Sequence, residues 1–294
     1  MRRITFAAIV VIVAFGGLAI RYSGGGTVTL EGENRTTTSR DGTIIAYTKR
    51  GSGPPLIIVD GVFCYRENGP ATELASLLAQ HYTVFTYDRR GRGESGDTAP
   101  YAVDREIDDL RALEKEAGAT PFVLGISSGA ALTLQAVASG VDAKKIALYE
   151  PPYAADGTRR MEDARTRLQS FISAGDRAGA VRSFMTDVFG APRGFVFLMP
   201  FLMPTAWKRN KLVVHTAPYD LTILGDRSVL NERSSSIQVS TLVIGGEKSP
   251  KGLHDAVAAV AKALPNGKSR FLAGQDHNVS GPILVPVLFE YFGT

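Results

Sequence analysis

What most limits how this chain can fold is a set of short, wholly apolar runs alternating with helical patterns. "LIIV" (56–59), "YTVFTY" (82–87), "PFVL" (121–124) and "TLVIGG" (241–246) contain no charged residue, and "KIALY" (145–149) only the lysine that opens it. Between and after them, "ATELASLLAQ", "VDREIDDLRALEKEAG" and "GLHDAVAAVAKAL" place apolar residues at helical spacing. A strand that is apolar on both faces has to be covered on both faces. The alternation therefore predicts an α/β fold with a mostly parallel sheet and helices on either side. "RTTTSR" and "TIIAYTKR", joined at Asp41-Gly42, read as an opening hairpin. "SRFLA" and a helix opened by Pro282 close the pattern, which makes the sheet eight-stranded.

Between residues 151 and 237 the rhythm stops. Met161, Ala164, Leu168 and Ile172 fall at helical spacing, as do Val181, Phe184, Met185 and Val188, and "FVFLMPFLMPTAW" follows. Because the sheet pattern resumes afterwards, 151–237 is expected to be a helical cap inserted after strand six into a core of 35–150 and 238–294. Pro200, Pro204 and the short length rule this patch out as a membrane span. The N-terminus differs. Arg2-Arg3 precede "ITFAAIVVIVAFGGLAI", 17 residues without a charge, and Arg21 follows. Residues 1–22 read as a signal anchor, or as a signal peptide cleaved near Ala19, with 23–34 as a linker. The flanking arginines would leave the remainder outside the cytoplasmic membrane, anchored to it or secreted.

Charge and cysteine content exclude several classes. Of a net charge of +4, Arg2, Arg3 and Arg21 supply three units, which leaves the body near neutral without a basic stripe. Nucleic acid is therefore not an expected partner. Cys64 is the only cysteine, so an internal disulfide and a cysteine-based metal cluster are both excluded. It reads as a small buried hydrophobe. No metal and no organic cofactor is expected.

The chemistry concentrates where strand 121–124 runs into Gly125-Ile126-Ser127-Ser128-Gly129 and then directly into a helix. A serine between glycines at such a turn matches a nucleophile elbow, in which the strained turn lifts the hydroxyl clear of the sheet. The helix N-terminus beyond it offers a free amide at Ser128. Of the four histidines, His81 ends a helix, His215 lies in the cap and His254 sits within a helical pattern. Only His277 occupies a loop after a late strand, where it can reach the elbow.

Four stretches in order, "VDGVF" (59–63), "YDRRGRGES" (87–95), "GISSG" (125–129) and "GQDHN" (274–278), make the chain resemble the α/β-hydrolase superfamily over residues 35–293. Its bacterial serine esterases and lipases are the most similar members. The resemblance implies Ser127 as nucleophile, His277 as general base, and the Val62 and Ser128 amides as the oxyanion hole. The arginine-rich run reads as a structural turn in which Asp88 pairs with its neighbouring arginines. Two departures stand out. Asp60-Gly61 replaces the usual His-Gly, and Ser249 occupies the position that usually holds the acid. Glu150, immediately after strand six, is the replacement read here. Glu247 or no acid at all are the alternatives, while Asp276 and Asp255 are poorly placed. The expected function is cleavage of a hydrophobic or acyl carboxylic ester. A cofactor-free lyase, C–C hydrolase or perhydrolase, or a non-catalytic small-molecule binder on the same fold, are the other readings.

Overall fold

Alternation within each strand decides the layering of the molecule, a computed structural model that describes residues 32–153, 160–225 and 236–293. The strands are β1 (Glu33–Thr38), β2 (Ile44–Arg50), β3 (Pro55–Val59), β4 (Thr83–Tyr87), β5 (Phe122–Ile126), β6 (Ile146–Tyr149), β7 (Thr241–Gly246) and β8 (Gly267–Leu272). The helices of the core are α1 (Ala71–Leu78), α2 (Val103–Ala117), α3 (Ser128–Ala138), α9 (Lys251–Ala263) and α10 (Gly281–Phe292). In β3, Ile57 and Val59 face one cluster with Leu110 of α2, Ala131 of α3 and Val257 of α9. Leu56 and Ile58 face the other, with Leu74 of α1 and Leu288 of α10. Successive side chains of one strand thus meet different helices, which is why these runs carry no polar face.

The eight strands lie in the order β1-β2-β4-β3-β5-β6-β7-β8. β1, β2 and β4 pair antiparallel, and every pair from β4–β3 to β7–β8 is parallel. The parallel crossovers bring the loops after β3, β5, β6, β7 and β8 to one edge of the sheet, where a site is expected in open α/β sheets. Ile126 of β5 is level with Tyr149 of β6, and Tyr149 with Ile244 of β7. Ser127 and Glu150 therefore leave neighbouring strands side by side.

β1 begins at Glu33, so residues 33 and 34 of the expected linker are strand, and it ends at Thr38 instead of residue 40. Its polar residues pair with β2 through backbone bonds that need no apolar pattern. The apolar segment 4–20 and most of the linker lie outside the described residues; among the described residues no helix is long and apolar enough to cross a membrane.

Between β6 and β7 lie α4 (Arg160–Ser173), α5 (Arg177–Ser183), α6 (Arg193–Leu202), α7 (Pro204–Val213) and α8 (Ala217–Leu224). Where the spacing of Val181, Phe184, Met185 and Val188 suggested one continuous helix, Phe184–Val188 form a π-helical turn. Leu168, Phe184, Met199 and Trp207 form a third cluster with Phe63 and Tyr65 from the loop after β3. The patch at 195–207 divides. Val196, Met199 and Trp207 are buried, whereas Phe197, Leu198, Phe201 and Leu202 are exposed.

Candidate active site

Two close approaches explain the glycines around Ser127. A Cβ at Gly125 would lie 2.6 Å from Ala130 Cα, and one at Gly129 only 2.2 Å from the Val59 carbonyl oxygen. Strand, turn and helix can pack this tightly only without those side chains. Ser127 itself takes φ 55° and ψ −124°, which is costly for a residue with a Cβ. Among the described residues only Phe63, Ser127 and Glu150 combine a side chain with positive φ, and all three lie at the same sheet edge. Strain of about 1–3 kcal/mol apiece persists only where the surroundings enforce it, and functional sites are where it gathers.

Glu150, at φ 45°, is fully buried. One carboxylate oxygen accepts the Gly246 amide at 2.8 Å and the other accepts His277 Nδ1 at 2.7 Å. Burial opposes the charge, but the His277 hydrogen bond and field, with the Gly246 amide, hold the Glu150 carboxyl below its ordinary range. An ionised carboxylate can only accept, so Nδ1 carries the proton and Nε2 is left as the acceptor in the neutral ring. That tautomer is the one a general base needs. Within 3.5 Å no hydrogen bond yet joins Ser127 to His277; such contacts often close only around substrate.

The other acids lie elsewhere. Glu247 is exposed. Asp276 accepts the Asn278 amide at 2.8 Å, and Asp255 pairs with Lys251 at the surface. Ser249, at the usual acid position, is buried against Glu150, and its hydroxyl helps to hold that carboxyl below its ordinary range. His254 is indeed helical, yet its Nε2 donates to the Gly246 carbonyl at 2.7 Å, on the peptide that follows the one whose amide holds Glu150. A Cβ at Gly246 would sit 2.5 Å from Gln275, so this glycine lets the His277 loop lie against β7. The sequence signal for it was the doubled glycine that ends "TLVIGG".

The loop after β3 runs past the serine: a Cβ at Gly61 would be 3.6 Å from Ser127 Oγ. Neither the Val62 nor the Ser128 amide makes a hydrogen bond among the described residues. Asp60 is buried and accepts from the Gly61 and Ala71 amides. Burial outweighs both and pushes its carboxyl up to about 6. Cys64, expected to be buried, is half-buried, and its surroundings and neighbouring Asp60 push the thiol well up, away from the thiolate form.

Asp88 does not pair with the arginines that follow it. Its carboxylate takes the Arg66 amide at 2.7 Å, Arg66 Nε at 3.0 Å and the Glu94 amide at 2.9 Å. The following arginines turn to other acids. Arg90 binds Asp109, Arg89 binds Glu106, and both Arg89 and Arg92 reach Asp220 of the cap. Asp220 escaped the sequence reading, although a lone acid in the apolar stretch "APYDLTIL" was its signal. No cluster of metal-ligating side chains occurs among the described residues.

An eight-stranded, mostly parallel sheet with a strained serine at the β5–α3 turn, a carboxylate–histidine pair beside it and helices between β6 and β7 defines the α/β-hydrolase class. Residues 60–287 match the alpha/beta hydrolase family, and the chain belongs to it. A crystal structure of an alpha/beta hydrolase from Sphaerobacter thermophilus is 42% identical with a TM-score of 0.81, over 88% of this chain and 100% of that one. An esterase from a Rhodococcus species shares the fold at 18% identity and a TM-score of 0.65, over 88% of this chain and 98% of that one. The uncharacterised hydrolase YraK of Bacillus subtilis is 38% identical over 108 residues, which is 34% of this chain and only 38% of that relative's length.

Proposed function

We propose that this hydrolase cleaves a carboxylic ester through an acyl-enzyme on Ser127. The observation that carries the reading is the Glu150–His277 bond of 2.7 Å beside a serine held in a strained elbow. His277 Nε2 takes the Ser127 proton as Oγ bonds to the ester carbon, and the carbonyl oxygen becomes an oxyanion facing the Val62 and Ser128 amides. The C–O bond then breaks, and the imidazolium returns its proton to the departing alcohol. Water repeats the sequence on the acyl-enzyme, releasing the acid and Ser127. Glu150 holds the tautomer and stabilises the imidazolium throughout.

Val62 and Phe63, at the proposed hole, pack into the apolar cluster of the cap with Phe184 and Met185. That surrounding favours a hydrophobic acyl group. A chain-length series of nitrophenyl esters tests the reading: kcat/KM should rise from acetate to a medium-chain ester and vanish in Ser127→Ala. Turnover that persists in Ser127→Ala overturns it. We also propose that segment 4–20 holds the enzyme on the outer face of a membrane, supported by its charge-free length and flanking arginines. Retention in the membrane fraction after a high-salt wash is the expected result, because salt does not extract an inserted helix. Recovery of the full-length chain in the cytosol contradicts it.

A further inference from the structure

We infer that Asp220, a cap residue, is a positioning residue that aligns both halves of the oxyanion hole. The inference rests on the serine-hydrolase reading above. The two donor amides come from separate segments, Val62 from the loop after β3 and Ser128 from the first turn of α3. To stabilise one developing charge they have to aim at one point, and small errors are costly. Asp220 touches the supports of both. One of its oxygens accepts the Ser128 hydroxyl at 2.7 Å and Arg89 Nη1 at 2.6 Å; the other accepts Arg92 Nη2 at 2.5 Å.

Arg92 carries the effect to Val62. Its Nη1 donates to the Gly61 carbonyl at 2.7 Å and to the Cys64 carbonyl at 3.3 Å. The Gly61 carbonyl and the Val62 N–H belong to one planar trans peptide and point in opposite directions. Holding that oxygen on the guanidinium side fixes the N–H on the far side, and the cation polarises the same amide. Arg89 Nη1 adds a longer contact, 3.4 Å, to the Asp60 carbonyl. Thr216, also from the cap, accepts Arg92 Nε at 3.0 Å.

The network is closed and balanced. Arg89, Arg92, Asp220, Glu106 and Ser128 are all at most 2% exposed. Two guanidiniums face two carboxylates, and Arg89 holds Glu106 by two bonds of 2.8 and 2.9 Å. Burial resists the Asp220 charge, but Arg89 and Arg92 hold its carboxyl below the ordinary range. Asp220 lies on α8, the last cap helix among the described residues. Displacement of that helix pulls Arg92 and Ser128 together, so cap position and oxyanion geometry are coupled.

The test is Asp220→Asn in the full chain, with kcat and KM counted per active site titrated by a fluorophosphonate. Counting per site removes any loss of folded protein. The expected result is a kcat lower by about 10- to 100-fold with KM within threefold, because the defect lies in transition-state stabilisation. Combined with Ser128→Ala, the effects should be less than additive, since the two share a contact. Hydrogen exchange provides a readout independent of turnover: peptides spanning 60–64 and 127–130 should lose protection while β6, β7 and α10 keep theirs. Should Asp220→Asn fold poorly, Thr216→Val removes the Arg92 Nε contact, together with the hydroxyl's local bond to the Val213 carbonyl, and should lower kcat in the same direction by a few fold. Unchanged kcat per site, an effect on KM alone, or protection lost throughout the sheet overturns the inference. A wild-type protein that neither labels nor turns over ester overturns the hydrolase reading instead, and the exchange data then decide separately whether Asp220 holds the 60–64 loop.

Discussion

Replacing Glu150 with glutamine changes one oxygen to an amino group, and both oxygens already have donors facing them. One meets the Gly246 amide at 2.8 Å and the other His277 Nδ1 at 2.7 Å. If the remaining oxygen keeps His277, the new amino group faces the Gly246 N–H, donor against donor in a fully buried site. If the oxygen keeps Gly246, the amino group faces Nδ1 and drives the proton to Nε2, which can then no longer accept from Ser127. Either arrangement also removes the charge that stabilises the imidazolium. A kcat loss of about 10²–10⁴-fold follows, equivalent to roughly 2.7–5.4 kcal/mol of barrier. The assay is ester turnover per titrated site, with a thermal melt to show that the fold survives. Glu247→Gln, at an exposed residue, should cost less than about tenfold. Glu150→Gln within tenfold of wild type refutes the reasoning. The reverse ranking moves the acid to Glu247, and two neutral variants leave a serine–histidine dyad.

Ser127→Ala should lower kcat by roughly 10⁴–10⁶-fold, whereas Ser128→Ala, which keeps its amide, should cost far less; equal losses refute the elbow assignment. Asp60, held at about 6, binds its proton in the folded protein at pH values where the unfolded chain, near 3.9, has released it. Its contribution to stability is therefore complete below about pH 4 and is lost as pH rises through 6, a change of about 3 kcal/mol at most. Melting curves from pH 4 to 8 should show wild type losing stability relative to Asp60→Asn across that window, and a pH-independent difference between the two contradicts it. Gly129→Ala places a methyl group 2.2 Å from the Val59 carbonyl oxygen. It should destabilise the fold by about 3 kcal/mol or more in denaturant titration, and a neutral result refutes the close packing of the elbow.

The sheet was legible because strands covered on both faces leave no polar positions, and runs such as "LIIV" and "TLVIGG" are β-branched and too short for a buried helix. β1 was less so: Glu33, pairing in register with Lys49, belongs to a polar edge strand that backbone bonds alone define. The π-turn at Phe184–Val188 was hidden because the same apolar spacing fits an α-helix. At the site, Ser127 was readable from a turn that only glycines permit, and His277 from its loop. Glu150 emerged by eliminating other acids, since nothing local tells a carboxylate after a strand that it will face a ring 127 residues later. The partners of Asp88 and Asp220 were not readable at all. Arg66 lies 22 residues from Asp88, and Arg92 lies 128 from Asp220. Charge pairing in a buried network depends on which side chains the fold brings together, and proximity in sequence was the wrong guide.

The central claim, that Ser127 is an activated nucleophile on this fold, is tested most directly by reaction with a fluorophosphonate followed by intact mass and peptide mapping. One phosphonyl group per chain is expected, on Ser127, with none on Ser128 or Ser249 and with ester turnover lost in step with labelling. A folded protein that takes up no label, or that carries it on another serine, contradicts the account.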